Sequence, residues 1–116
     1  MEGLPARLYP DRDEESMKLH QLQYFCAACR NGNITRAAAE LHVSQPSISM
    51  AIRELENEFG ILLLQRNNKG FEITREGTYF YERATVLLEQ ADELNQMMCD
   101  MGNQRKRINL GIPDRK

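Results

Sequence analysis

Asn33 to Phe59 reads NITRAAAELHVSQPSISMAIRELENEF, and the fold depends on how this stretch divides. Asn33 is a residue type that caps helices, accepting a hydrogen bond from the free amides of the first turn. From Ile34 to Leu41, Ala37, Ala38 and Leu41 recur at helical spacing, so a short helix with an inward apolar face is expected. The run Ala37-Ala38-Ala39 keeps it slim and lets a neighbouring helix come close. His42-Val43 makes a tight break. Ser44 then caps a longer helix, with Pro46 in its first turn, where a missing amide hydrogen costs little. Ile48, Ile52, Leu55 and Phe59 follow at steps of four, three and four, an amphipathic stripe that Gly60 ends.

Working outward, residues 18–30 place Leu22, Phe25, Cys26 and Cys29 on one helical face, and Asn31-Gly32 stops that helix. Downstream, Ile61 to Leu64 is a short apolar run, Asn67-Asn68-Lys69-Gly70 is a turn signal, and Phe71 to Thr74 alternates apolar and polar. Residues 61–74 therefore read as a two-stranded hairpin. From Arg75 to about Met101 the helical period returns. Phe80, Ala84, Leu87, Ala91, Leu94, Met98 and Met101 form a seam of alternating four- and three-residue steps, the spacing of a coiled coil. A helix of ~26 residues spans ~40 Å, too long for the small domain before it to cover, so a second copy is the expected partner. The fold class is mainly α: a winged helix-turn-helix, three helices plus a two-stranded wing, followed by a long dimerisation helix. The expected divisions are a disordered extension at 1–16, the winged domain at 17–74 and the linker helix at 75–103. Residues 104–116 are expected to form a basic hinge and, from Ile108, the first strand of a further domain.

Composition narrows the function. The net charge is −2, but residues 1–16 carry −3 of it, and residues 17–70 are net positive by two. No segment has the ~18 uninterrupted apolar residues of a membrane span, and the acidic N-terminus lacks a signal-peptide core. A cytoplasmic location follows as the expectation. Three Cys, with no mark of secretion, suggest reduced thiols. On the third helix, Gln45, Ser47, Ser49 and Arg53 lie opposite the core stripe in the first two turns. None is acidic, and Glu54, Glu56 and Glu58 come only later. That polarity suits a helix inserted N-terminus first into a major groove, where its amides favour phosphate and Gln can read an adenine edge. Lys69 and Arg66 in the wing are placed to reach flanking phosphate or the minor groove.

With these blocks in order, the segment from Met17 to Arg107 closely resembles the N-terminal part of LysR-type transcriptional regulators. The stretches GNITRAAA (32–39), HVSQPSIS (42–49), ELENEFG (54–60) and ITREG (73–77) carry the resemblance, which covers about three quarters of the chain. It implies a bacterial, sequence-specific DNA-binding regulator that binds promoter DNA as a dimer or tetramer. A small-molecule effector would be bound by a C-terminal domain largely absent from this chain. Carried over by position, Gln45, Pro46, Ser47 and Ser49 face bases, Arg53 and Thr35 face phosphate, and Lys69 sits at the wing position that is usually Arg. The expected DNA-binding set is Thr35, Ser44, Gln45, Pro46, Ser47, Ser49, Met50, Arg53, Arg66 and Lys69. Met50 stands where many members have Arg or another polar group, and a Met can touch a thymine methyl. Leu64 replaces a common Phe, and Lys69 loses a planar, bidentate contact.

Other readings are weaker. The Cys26-x-x-Cys29 motif lies mid-helix on the apolar side, without a second pair, and is read as structural. Cys99 is read as a free thiol and His42 as a helix terminus, a favourable site for His. Met97, Met98 and Met101 are read as interface packing. No polar catalytic cluster is found, so neither an enzyme nor a cofactor or metal site is expected. The alternative function is a winged-helix protein-interaction module without DNA affinity.

Overall fold

The computed structural model describes residues 16–111, with side chains as far as Arg105. The elements run α1 (Leu19–Asn31), α2 (Ile34–Leu41), α3 (Gln45–Phe59), β1 (Leu64–Asn67), β2 (Gly70–Ile73) and α4 (Arg75–Gly111). The extension expected at 1–16 lies outside the described residues except for Ser16. The described chain divides into two compact units between Thr85 and Val86, eleven residues into α4.

In the first unit, α1, α2 and α3 pack on one another around Leu22, Phe25, Ile48, Ile52 and Leu55, all fully buried. Each such side chain contributes about 1.5–3 kcal/mol by leaving water. Ala27, Ala28, Ala37 and Ala51 are buried as well, small side chains that let helices come close. The caps follow the sequence reading. The Asn33 side chain accepts from Arg36 N at 2.8 Å, and Ser44 Oγ accepts from Ser47 N at 3.2 Å. His42 closes α2 in the left-handed region at φ 59°, its amide donating to Ala39 O and that of Val43 to Ala38 O. A Cβ in that region costs roughly 1–2 kcal/mol, which the tight turn into α3 imposes.

The hairpin is antiparallel, pairing Leu64 with Ile73, Gln65 with Glu72, Arg66 with Phe71 and Asn67 with Gly70. It is shorter than the 61–74 expected. Residues 61–63 are not strand: Ile61 and Leu62 are exposed, and Leu63 is buried with its amide bonded to the Glu56 side chain. Two polar groups anchor this hairpin at its base. The Glu56 carboxylate accepts from Leu63 N at 2.8 Å and Leu64 N at 3.1 Å. Thr74 Oγ1 donates to Leu62 O at 2.7 Å and accepts from Gly77 N at 2.9 Å, capping α4. Gly77 is buried against the Leu63 carbonyl, and a Cβ there would lie 2.1 Å from that oxygen.

These contacts explain why the first unit includes the start of α4. Phe80 packs edge-to-face on both Phe25 and Phe59, with ring centroids 5.3 and 5.5 Å apart, and Ala84 is 3% exposed. Ala84 is therefore covered by the winged domain itself, whereas Phe80 is half-buried, one side of its ring against Phe25 and Phe59. In the second unit, residues 86–111 continue as a single helix. The hinge and strand expected from residue 104 are not formed as far as Gly111, and residues 112–116 lie outside the described residues. A strand needs a ladder partner for its backbone groups, whereas a helix satisfies them locally, and Gly102 alone costs only about 1 kcal/mol.

Candidate nucleic-acid interface

The first turns of α3 bring Ser44, Gln45, Pro46, Ser47, Ser49, Met50 and Arg53 onto one stretch of helix. Ser44, Gln45, Pro46, Met50 and Arg53 are exposed, and Ser47 and Ser49 half-buried. Ser44 and Ser47 are partly occupied with each other, their hydroxyls 2.8 Å apart. Gln45 and Arg53 carry the hydrogen-bonding capacity that points outward. Thr35 is exposed on the first turn of α2. Arg66 and Lys69 are exposed on the hairpin, where the Asn67 side chain accepts from Lys69 N at 2.9 Å and fixes the turn. Gly70, at φ 133°, allows that turn where a side chain would be strained.

The charges are sorted by use. Arg30 pairs with Glu40, whose carboxyl is held below its usual range by the hydrogen bond from Asn31 and then by Arg30. Arg36, Arg53, Arg66 and Lys69 make no ion pair among the described residues. On the acidic side, Glu54 accepts from Gln21 Nε2 at 2.8 Å and Glu56 holds the hairpin amides. Two of the three carboxylates of α3 are thus engaged by groups of the domain itself, and the turns before them carry no negative charge.

Sequence reasoning missed several residues. Gln21 is buried, its Oε1 accepting from Lys18 N at 2.8 Å while its amide reaches Glu54, so it ties the start of α1 to α3. Its position three residues after Lys18 was the available signal, since Gln there completes a capping arrangement. Arg36, exposed next to Thr35, belongs with the cationic groups and was identifiable from that adjacency. In the Cys-x-x-Cys motif the surroundings disfavour the thiolate. Burial raises Cys26, against the Thr85 and Arg30 influences, and raises Cys29 to about 12 with help from Cys26.

Three helices, a two-stranded wing and an exposed, acid-free start to α3 define the winged helix-turn-helix class. The model of the bacterial regulatory helix-turn-helix proteins of the lysR family matches residues 19–78. The chain belongs to the LysR family. Among curated proteins it is 37% identical over 96 residues to the transcriptional regulator BenM of Acinetobacter baylyi, covering 83% of this chain and 32% of that one. It is 38% identical over 96 residues to the Hca operon transcriptional activator HcaR of Escherichia coli, with the same coverages. The chain thus spans about a third of the length of these relatives. Among solved structures, the BenM DNA-binding domain in complex with catB site 1 DNA matches at TM-score 0.70 and 37% identity. That match covers 74% of this chain and 97% of that one. The CbnR DNA-binding domain in complex with DNA matches at TM-score 0.68 and 38% identity, covering 74% and 99%.

Proposed function

We infer that this chain is the DNA-binding part of a transcriptional regulator, reading promoter DNA through the start of α3. The observation that carries this is the surface of the first two turns: exposed, rich in hydrogen-bonding groups, free of carboxylates and accompanied by uncompensated cations on α2, α3 and the wing. Gln45 and Ser49 read base edges, and Arg53, Thr35, Arg66 and Lys69 hold phosphate or groove walls. Ser44 and Ser47 shape the helix start, and Pro46 preorganises it. The LysR kinship and the DNA complexes of similar domains support this reading over a protein-interaction module.

The functional unit is a pair of chains joined through the second unit's helix. Leu87, Leu94, Met98 and Met101 are exposed there, and Ala91 is half-buried. An apolar stripe in water gains from covering by its twin. A small-molecule effector would act through a further, C-terminal domain. Kinship with proteins named as regulators supports a binding role rather than a catalytic one. Among the described residues no helix is long and apolar enough to cross a membrane; action on promoter DNA supports a cytoplasmic location.

The test is a titration of wild type and Gln45→Ala with a selected duplex and a random duplex at fixed salt. Loss of one bidentate base contact should reduce the ratio of the two affinities by roughly tenfold, from about 1–3 kcal/mol of discrimination. An unchanged ratio refutes the assignment of Gln45.

A further inference from the structure

The geometry points to Met50 as a specificity-determining residue that contacts the 5-methyl group of a thymine in the major groove. The inference rests on the assignment of α3 as the DNA-reading helix. Pro46, Met50, Arg53 and Asn57 recur at steps of four, three and four, and all are exposed. They lie opposite the buried Ile48, Ile52 and Leu55, so Met50 sits in the middle of the outward stripe, 55% exposed.

The other large aliphatic side chains of α3 are in the core, and Phe59, at the far end, packs on Phe80. Met50 is therefore the one large apolar group on the part of α3 that meets DNA. Isolated apolar residues on a surface need no explanation by themselves. This one is set among Gln45, Ser49 and Arg53, which are suited to polar recognition, with the small ring of Pro46 the other apolar group on the stripe. The floor of the major groove offers polar edges and a single apolar feature, the C5-methyl of thymine. A thioether donates no hydrogen bond and accepts only weakly, so it satisfies none of the polar edges well. It matches the methyl, and its unbranched, flexible chain lets it adapt to that contact. Met50 lies five residues beyond Gln45, a rise of about 7.5 Å. Both lie in the first two turns of α3, so the thymine lies near the base read by Gln45.

The experiment uses the full 116-residue chain. Bound duplexes are first selected from a random double-stranded pool at physiological salt. Each thymine of the selected duplex is then replaced in turn by deoxyuridine, which keeps the pairing edge and removes only the methyl. One position in each half-site should bind wild type about fourfold more weakly, the effect of exposing one buried methyl-sized group. Met50→Ala, at an exposed site and with helicity checked by circular dichroism, should bind the thymine and deoxyuridine duplexes equally. If wild type selects a sequence but no deoxyuridine replacement weakens binding, the Met50 contact is overturned while the DNA-reading role stands. The same holds if Met50→Ala keeps the full deoxyuridine penalty. If wild type selects no sequence, the assignment of α3 itself falls, and the Met50 contact with it.

Discussion

Gly77→Ala should destabilise the winged domain, against the usual preference of helices for alanine. Gly77 is the third residue of α4, and alanine there would gain about 0.8–1.0 kcal/mol of helix propensity. The added Cβ, however, would meet the Leu63 carbonyl oxygen at 2.1 Å and Ile73 Cγ2 at 2.9 Å. Carbon and oxygen approach comfortably only to about 3.3 Å, so the helix and the hairpin base must separate by more than ~1 Å. The carbonyl cannot yield without loss, because it accepts from Thr74 N at 3.1 Å and lies 3.2 Å from Thr74 Oγ1. Overpacking costs about 1–3 kcal/mol and a strained hydrogen bond about 1 kcal/mol more. After the propensity gain, a net loss of about 1–3 kcal/mol remains. For a domain of this size that lowers the melting midpoint by roughly 5–20 °C. Thermal unfolding followed by circular dichroism measures it, with Gly102→Ala as the control, since a methyl there meets nothing within 4 Å. A Gly77→Ala protein as stable as wild type, or more so, would refute the close packing of α4 on the hairpin.

Other changes probe separate parts of the account. His42→Gly should raise stability by up to about 1 kcal/mol, because it removes a Cβ from the left-handed turn at φ 59°. Urea unfolding checks this, and a lower midpoint would mean that the imidazole makes a stabilising contact that outweighs the strain. Leu94→Asp, at a site 57% exposed, should leave the fold intact and lower the mass seen by light scattering to that of a single chain. An unchanged mass for a dimeric wild type would remove Leu94 from the seam.

The helices were legible because their signals are local. Asn33, Ser44 and Gly60 mark ends by hydrogen-bonding and conformational preference, and the stripe of α3 repeats at the helical period. The outward face of α3 was readable for the same reason, being the complement of its core stripe. What escaped depends on contacts distant in sequence. Gln21 meets Glu54 across thirty-three residues, and periodicity says nothing of such a pair. Ala84 has coiled-coil spacing, yet the spacing does not tell whether the covering surface is a twin or the chain's own core. Thr74 and Gly77 lie in a motif that was recognised as a string, while its physical content, a cap and a close approach, needed the Leu63 carbonyl in place. At the C-terminal end, alternation over 108–112 suggested a strand, but with no ladder partner the helix simply continued to Gly111.

The central claim, that the acid-free start of α3 with the wing cations holds promoter DNA, is tested most directly by the salt dependence of binding to a selected duplex. Two chains each placing Arg53, Arg66 and Lys69 on phosphate would give a slope of log K against log salt of about −5, with random DNA bound far more weakly at every salt. A slope near zero, or equal affinity for selected and random duplexes, would contradict the account.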